Sequence, residues 1–353
     1  MHTKHLVLPL LQWSKSIVRR PAEAKAAMKR RGGAVAVLCV LAVTSVWLAP
    51  SGWLRAAERK VVPSVQKSGT EVTLLSVYFR DAKVGWAVGN GGSILKTSDG
   101  GKHWKQVTSG TTRLLTSVSF GDASQGWVVG ANGTILHSKD GGGNWTPQAS
   151  GTQAALYGVY ALTPSTGYAV GAGGTILQTK DGGQHWDDQN SGTSAALYAV
   201  HFSDQDHGGV VGALGTILAT EDGGQTWLKQ ESQSAGTFFD VFLSDRGNRW
   251  VVGNAGAMFQ TTDGGRRWVD RTFPCSGTCT RPTDLLRVRF TDQNTGWIVG
   301  ERGAILRSTD AGFTWVELDN GTKTSLYGLS FPDPTQGWAT GERGTILHIS
   351  AGR

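Results

Sequence analysis

One spacing dominates the chain. A glycine closing a Gly-Trp-x-Val-Gly segment, or a close variant of it, recurs at Gly89, Gly130, Gly171, Gly212, Gly253, Gly300 and Gly341. The intervals are 41 residues, except for one of 47 between Gly253 and Gly300. A unit of this length cannot bury its own apolar face, so seven copies must stack on one another. Each unit reads as four short strands punctuated by glycine and aspartate turns. In the second unit these are Leu115 to Phe120, Gly126 to Gly130, Thr134 to Ser138, and a strand opening at Trp145. Seven four-stranded units of about 41 residues predict an all-β, seven-bladed propeller.

Six units carry a second signature, Ser/Thr-x-Asp followed by glycine and then tryptophan. Its aspartates are Asp99, Asp140, Asp181, Asp222, Asp263 and Asp310. A carboxylate there can accept the turn's own N–H groups, and the tryptophan can cover a seam between blades. This is the Asp-box pattern, and a structural role is expected of it. The seventh unit ends soon after Ile346-Leu347 and lacks both box and fourth strand. At the other end, Ser68-Gly69-Thr70 matches the Ser109-Gly110-Thr111 that follows a fourth strand. Residues 61–66 are therefore expected to complete blade seven and close the ring.

The units, as in Gly85 to Trp104, resemble the photosystem II stability/assembly factor family from about Val61 to Gly352. The resemblance implies a non-enzymatic, chaperone-like scaffold that binds a protein partner through an arginine-rich surface. Asp-boxes also occur in sialidase-like glycosidases, so an exported hydrolase is the alternative. That chemistry needs an arginine cluster, a tyrosine nucleophile and an acid/base carboxylate. The six tyrosines all fall on ordinary repeat positions: Tyr157, Tyr198 and Tyr327 on one, Tyr78 and Tyr160 on another, and Tyr168 in place of a tryptophan. No metal-ligand spacing occurs, and no cofactor is expected.

Function is sought where one copy departs from the others. Residues 71–236 contain two arginines, Arg80 and Arg113, whereas residues 237–353 contain twelve. Arg302 and Arg343 occupy the same turn, between the second and third strands, in adjacent units. Arg287 stands at a first-strand position that is Ser76, Ser117, Gly158, Ala199 or Gly328 elsewhere, and Asp240 is the remaining exception. Because the first strand lines the channel, Arg287 and Asp240 are expected to pair, with Arg289 on the same strand face. The predicted partner-binding set is Arg287, Arg289, Arg302, Arg343 and Asp240, docking on the rim that also carries the 275–279 insertion.

The formal charge of +7 resides in residues 1–31, which hold eight basic side chains against Glu23. The body is neutral overall, which argues against nucleic acid as a partner. Behind Lys29-Arg30-Arg31, the apolar run Ala34 to Ala49 reads as a signal anchor that sends the body across the inner membrane. A cleaved signal peptide is the competing reading, and Met28 resembles an ordinary export start. The expected organisation is a basic cytoplasmic tail (1–31), a single-pass anchor (32–50), a linker (51–60) and a monomeric propeller (61–353) in the periplasm or outside. There it would meet a membrane protein or complex. In that oxidising setting Cys275 and Cys279 form a disulfide or remain two loop thiols.

Overall fold

The computed structural model describes residues 61, 63–272 and 283–350. The anchor, the linker, and Cys275 with Cys279 lie outside the described residues. Among those described, no helix is long and apolar enough to cross a membrane.

Seven four-stranded antiparallel sheets make up the body. The inner strands are Leu74–Phe79, Leu115–Phe120, Leu156–Ala161, Leu197–Phe202, Phe238–Leu243, Leu285–Phe290 and Leu326–Asp333. The outer strands are short, two or three residues each, such as Lys105–Val107 and Val269–Asp270. The seventh sheet closes as expected: Ser64–Gln66 adds to Ile346–Ser350, with Ser64 opposite His348 and Gln66 opposite Ile346. Gln66 also reaches into blade one, donating from Nε2 to Gly100 O at 2.8 Å and accepting from Trp104 Nε1 at 3.4 Å.

The core lies in the seams between blades. In five seams an inner-strand phenylalanine lies flat on the second-strand aromatic of the preceding blade. The pairs are Phe79 on Trp338, Phe120 on Trp86, Phe202 on Tyr168, Phe290 on Trp250 and Phe331 on Trp297, at 3.7 to 5.4 Å between centroids. Box tryptophans such as Trp104 and Trp145 meet these phenylalanines edge-on. Such offset and edge contacts add to the burial of large apolar area. The repeating glycine has a steric cause. A Cβ on Gly89 would lie 2.0 Å from Thr73 O, and the same clash recurs at Gly130 with Leu114 O.

The seam between blades four and five breaks this pattern. Gly209 replaces the aromatic, Leu243 replaces the phenylalanine, and Arg249 replaces the glycine that opens the second strand. Arg249 is 2% exposed. Its Nη2 donates to Arg246 O at 3.2 Å, while Nε and Nη1 find no partner among the described residues.

Every inner strand carries a β-bulge at its second residue, as between Leu74 and Ser76 and between Leu285 and Arg287. Beyond the bulge, polar side chains at the third and fifth positions serve the edge N–H groups of the next blade. Ser76 Oγ accepts from Val118 N, Ser117 Oγ from Val159 N, Ser119 Oγ from Ala161 N and Ser330 Oγ from Phe79 N, at 2.9 to 3.4 Å. A buried strand edge needs such partners.

Candidate functional site

The two rims of the ring differ. On one, the Asp-box turn bonds to the turn between the first and second strands of its own blade. Gly100 N donates to Lys83 O, Gly141 N to Ser124 O and Gly264 N to Gly247 O. On the other rim lie the three-residue turns between second and third strands, including Glu301–Gly303 and Glu342–Gly344.

The six box aspartates share one geometry. Asp99 Oδ1 accepts from the Thr97 hydroxyl at 2.9 Å and from His103 N at 3.0 Å. Asp140, Asp181, Asp222, Asp263 and Asp310 each accept in the same way from the hydroxyl two residues before and the N–H four residues after. The N–H and ring of His103 hold Asp99 down to about 2, and those of His185 do the same for Asp181. A carboxylate so committed to its own turn is poorly placed for chemistry on a substrate.

Arg302 and Arg343 are exposed on the second rim. Their backbones are left-handed, with φ of 57° and 54°. The equivalent residue is Gly91 in blade one, Asn132 in blade two and Gly173 in blade three, types that tolerate this conformation. Blade four presents Leu214 there, 78% exposed at φ 57°. Neither arginine makes an ion pair among the described residues. The adjacent Glu342 turns inward, where its carboxylate accepts from the Tyr327 hydroxyl at 3.1 Å.

Asp240, Arg287 and Arg289 come together elsewhere, in the central channel. Here the expected pairing is corrected. Arg289, not Arg287, reaches Asp240, with Nη1 to Oδ2 at 2.6 Å. The reason is the stagger between blades. Asp240 plays the part that Ser76 and Ser117 play elsewhere, and its Oδ2 accepts from Val288 N at 2.9 Å. The carboxylate is thereby carried past Arg287 toward the fifth position of the next strand. Arg287 Nη1 instead donates to Leu286 O at 2.7 Å.

The channel cavity measures about 400 Å³. Its lining runs from the third residues of the inner strands to Pro332 and to Arg80, just past the end of its strand, so it extends toward the Asp-box rim. At the opposite end the bulge residues Leu75, Phe239, Leu286 and Tyr327 form one packed cluster, with Tyr198 against it. The structure thus separates Arg302 and Arg343 from Arg287 and Arg289. The repeat pattern shows that these residues are unusual, but it does not contain the apolar plug. The signal for the plug was the large second residue of the inner strands.

Among the described residues, no cluster of side chains could hold a metal ion. Among the described residues, Asp240 is the single carboxylate lining the cavity.

A family model described as photosynthesis system II assembly factor YCF48 matches residues 57–149, 186–270, 228–324 and 277–350. The chain belongs to this family. Among solved structures, YCF48 bound to a D1 peptide is 23% identical, with a TM-score of 0.68 over 82% of this chain and 94% of that one. YCF48 from Cyanidioschyzon merolae is 21% identical, with a TM-score of 0.68 over 82% and 98%. A GH74 xyloglucanase from Xanthomonas campestris is 12% identical, with a TM-score of 0.68 over 82% of this chain and 54% of that one. At these identities the likeness speaks for the seven-bladed fold alone. No curated protein is matched in sequence. Membership of the YCF48 family bears out the resemblance carried by the repeat units.

Proposed function

We propose that the protein is a non-enzymatic scaffold, anchored in the inner membrane by residues 32–50, that holds a segment of a membrane-protein partner. Docking is assigned to the rim carrying Arg302 and Arg343. One observation carries this reading. Two exposed arginines, without ion-pair partners among the described residues, sit in adjacent blades on left-handed backbone that glycine or asparagine would occupy with less strain. Strain kept at a surface position points to use. Arginine is a common interface hot spot, and the exposed Leu214 on the same rim adds apolar contact. The solved relative bound to a D1 peptide supports a polypeptide partner. Residues 275–279, bridged by a disulfide, would extend this rim. Asp240, Arg287 and Arg289 would take part only through the channel, whose end at this rim is filled by Leu75, Phe239, Leu286 and Tyr327.

The test is cross-linked capture from membranes by the full-length chain. Charge reversal at Arg302 and Arg343 abolishes capture and leaves the melting temperature nearly unchanged. Reversal of Lys102 and Lys139, on box turns of the other rim, has little effect. Equal loss from both pairs would reduce the effect to general electrostatics, and unimpaired capture by the arginine variant would remove this site. Protease added outside the inner membrane should digest the body. A soluble product beginning after residue 50 would replace the anchor with a cleaved signal.

A further inference from the structure

We propose that the central channel is a blind binding site for a single carboxylate group, entered from the Asp-box rim and anchored on Arg287. The channel lining holds three arginines and one acid among the described residues, and Arg80, at its end, is already paired with Asp81 at 2.8 Å. Asp240 is 3% exposed and committed to Arg289 and to Val288 N. Arg287 donates to a neutral carbonyl and makes no ion pair among the described residues. Arginine stays protonated in proteins, so the cavity carries one uncompensated positive charge. Burying a charge without a counter-ion is unfavourable, and an entering anion relieves it. A single charge and a planar fork favour a carboxylate over a dianion.

The walls complete the site. His201 lines the cavity between Tyr160 and Phe242, with ring centroids 5.0 and 4.9 Å away. Its Nδ1 accepts from Leu243 N at 3.3 Å, which places the proton on Nε2 as a donor. Burial, with Arg289 nearby, lowers its pKa to about 3, so it supplies an N–H and no charge. The hydroxyls of Tyr78 and Tyr160 donate to Phe120 O and Phe202 O, leaving their rings as apolar wall. A carboxylate on an apolar or aromatic stem fits this combination. The 400 Å³ volume lies within the range of small-molecule sites, about 300–1,000 Å³. The apolar cluster lies at the far end and the lining reaches Arg80 at the other, so entry is assigned to the rim opposite Arg302 and Arg343. The site therefore stands independently of the docking reading above.

The carboxylate could belong to a free acid or to the end of a polypeptide. Full-length protein in detergent is titrated calorimetrically with benzoate, with benzamide as its neutral counterpart, and with a glycine-rich peptide ending in phenylalanine as free acid and as amide. Expected is binding of at least one free acid, with a loss of tenfold or more for the matching neutral compound and for Arg287→Gln. Arg287→Lys should retain part of the affinity, and charge reversal at Arg302 and Arg343 should change nothing. Benzoate binding identifies a free acid, and binding of the peptide acid alone identifies a chain terminus. Where Arg287→Gln fails to fold, the position of 4-bromobenzoate in crystals of the wild-type protein decides. Absence of binding by both acids, equal binding of the neutral compounds, or bromine located outside the channel would overturn the proposal.

Discussion

Asp240 and Arg289, 49 residues apart in adjacent blades, are joined by a 2.6 Å ion pair inside the channel. The same carboxylate accepts from Val288 N, as serine does in other blades. These two duties can be separated. Asp240→Ser keeps an acceptor for Val288 N but strands Arg289. Removing one partner of a buried pair costs about 3–5 kcal/mol. Because the Arg289 side chain is 28% exposed, a loss of about 2–4 kcal/mol is expected. Adding Arg289→Ser should recover most of it, since blade two already carries Ser117 and Ser119 at the matching positions. Urea unfolding of the two variants checks this, and a double variant no better than the single one would refute it.

Arg302 and Arg343 should be worth more as glycines to the fold than as arginines. A left-handed non-glycine residue costs roughly 1–2 kcal/mol. Part of that is returned because arginine restricts the unfolded chain more than glycine does. Each Arg→Gly change is therefore expected to raise stability by a few tenths to about 1 kcal/mol while weakening partner capture. Denaturant midpoints and capture yields measured together would expose the trade. A destabilised Arg→Gly variant would show that the arginines hold the turn.

The seam between blades four and five invites reversion. The combined changes Gly209→Trp, Leu243→Phe and Arg249→Gly restore the stack found at five other seams. They also remove a guanidinium whose Nε and Nη1 lack partners among the described residues. An unsatisfied buried donor costs about 1–3 kcal/mol and an aromatic pair returns about 0.5–1.5 kcal/mol, so the triple variant should be more stable by about 1–3 kcal/mol. Arg249→Gly alone should be less stable than the wild type, because it opens a void. Thermal melts of both variants decide, and a triple variant below wild type would overturn this account.

Acid should undo the box turns in a defined window. Asp99 and Asp181 fall to about 2 in the folded protein, chiefly through the N–H groups of His103 and His185. A depressed carboxylate contributes stability above its unfolded pKa, near 4, and loses it as pH falls through the folded value. Melting temperature should therefore hold down to about pH 4 and decline toward pH 2. His185 works in the opposite direction. Its pKa is raised, mainly by its bond to Asp181, so its contribution is complete below about 6.5 and fades as pH rises through the folded value. In Asp99→Asn the melting temperature should start lower at neutral pH and fall less between pH 4 and 2. An unchanged acid profile would dissociate the box from stability.

The sequence by itself determined the ring. Seven glycines at intervals of 41 residues, one of them stretched to 47, specify seven units, because the closing glycine is demanded by a clash inside each blade, such as Gly89 against Thr73 O. The seventh blade's outer strand was legible too, through the match of Ser68-Gly69-Thr70 to Ser109-Gly110-Thr111. These are local requirements, and a local requirement repeats in the chain as it repeats in space. The channel is different. Which arginine meets Asp240 depends on the height of one inner strand against the next, and no spacing along the chain records that height. Likewise, Leu75, Phe239, Leu286 and Tyr327 become a plug only because a bulge precedes the third residue of every inner strand and the ring then brings four blades together. The strain at Arg302 and Arg343 is a backbone angle, fixed by a turn that blades one to three fill with Gly91, Asn132 and Gly173 and blades four and five with Leu214 and Ala255. Contacts between units are set by how the blades pack, and only the closed ring decided them.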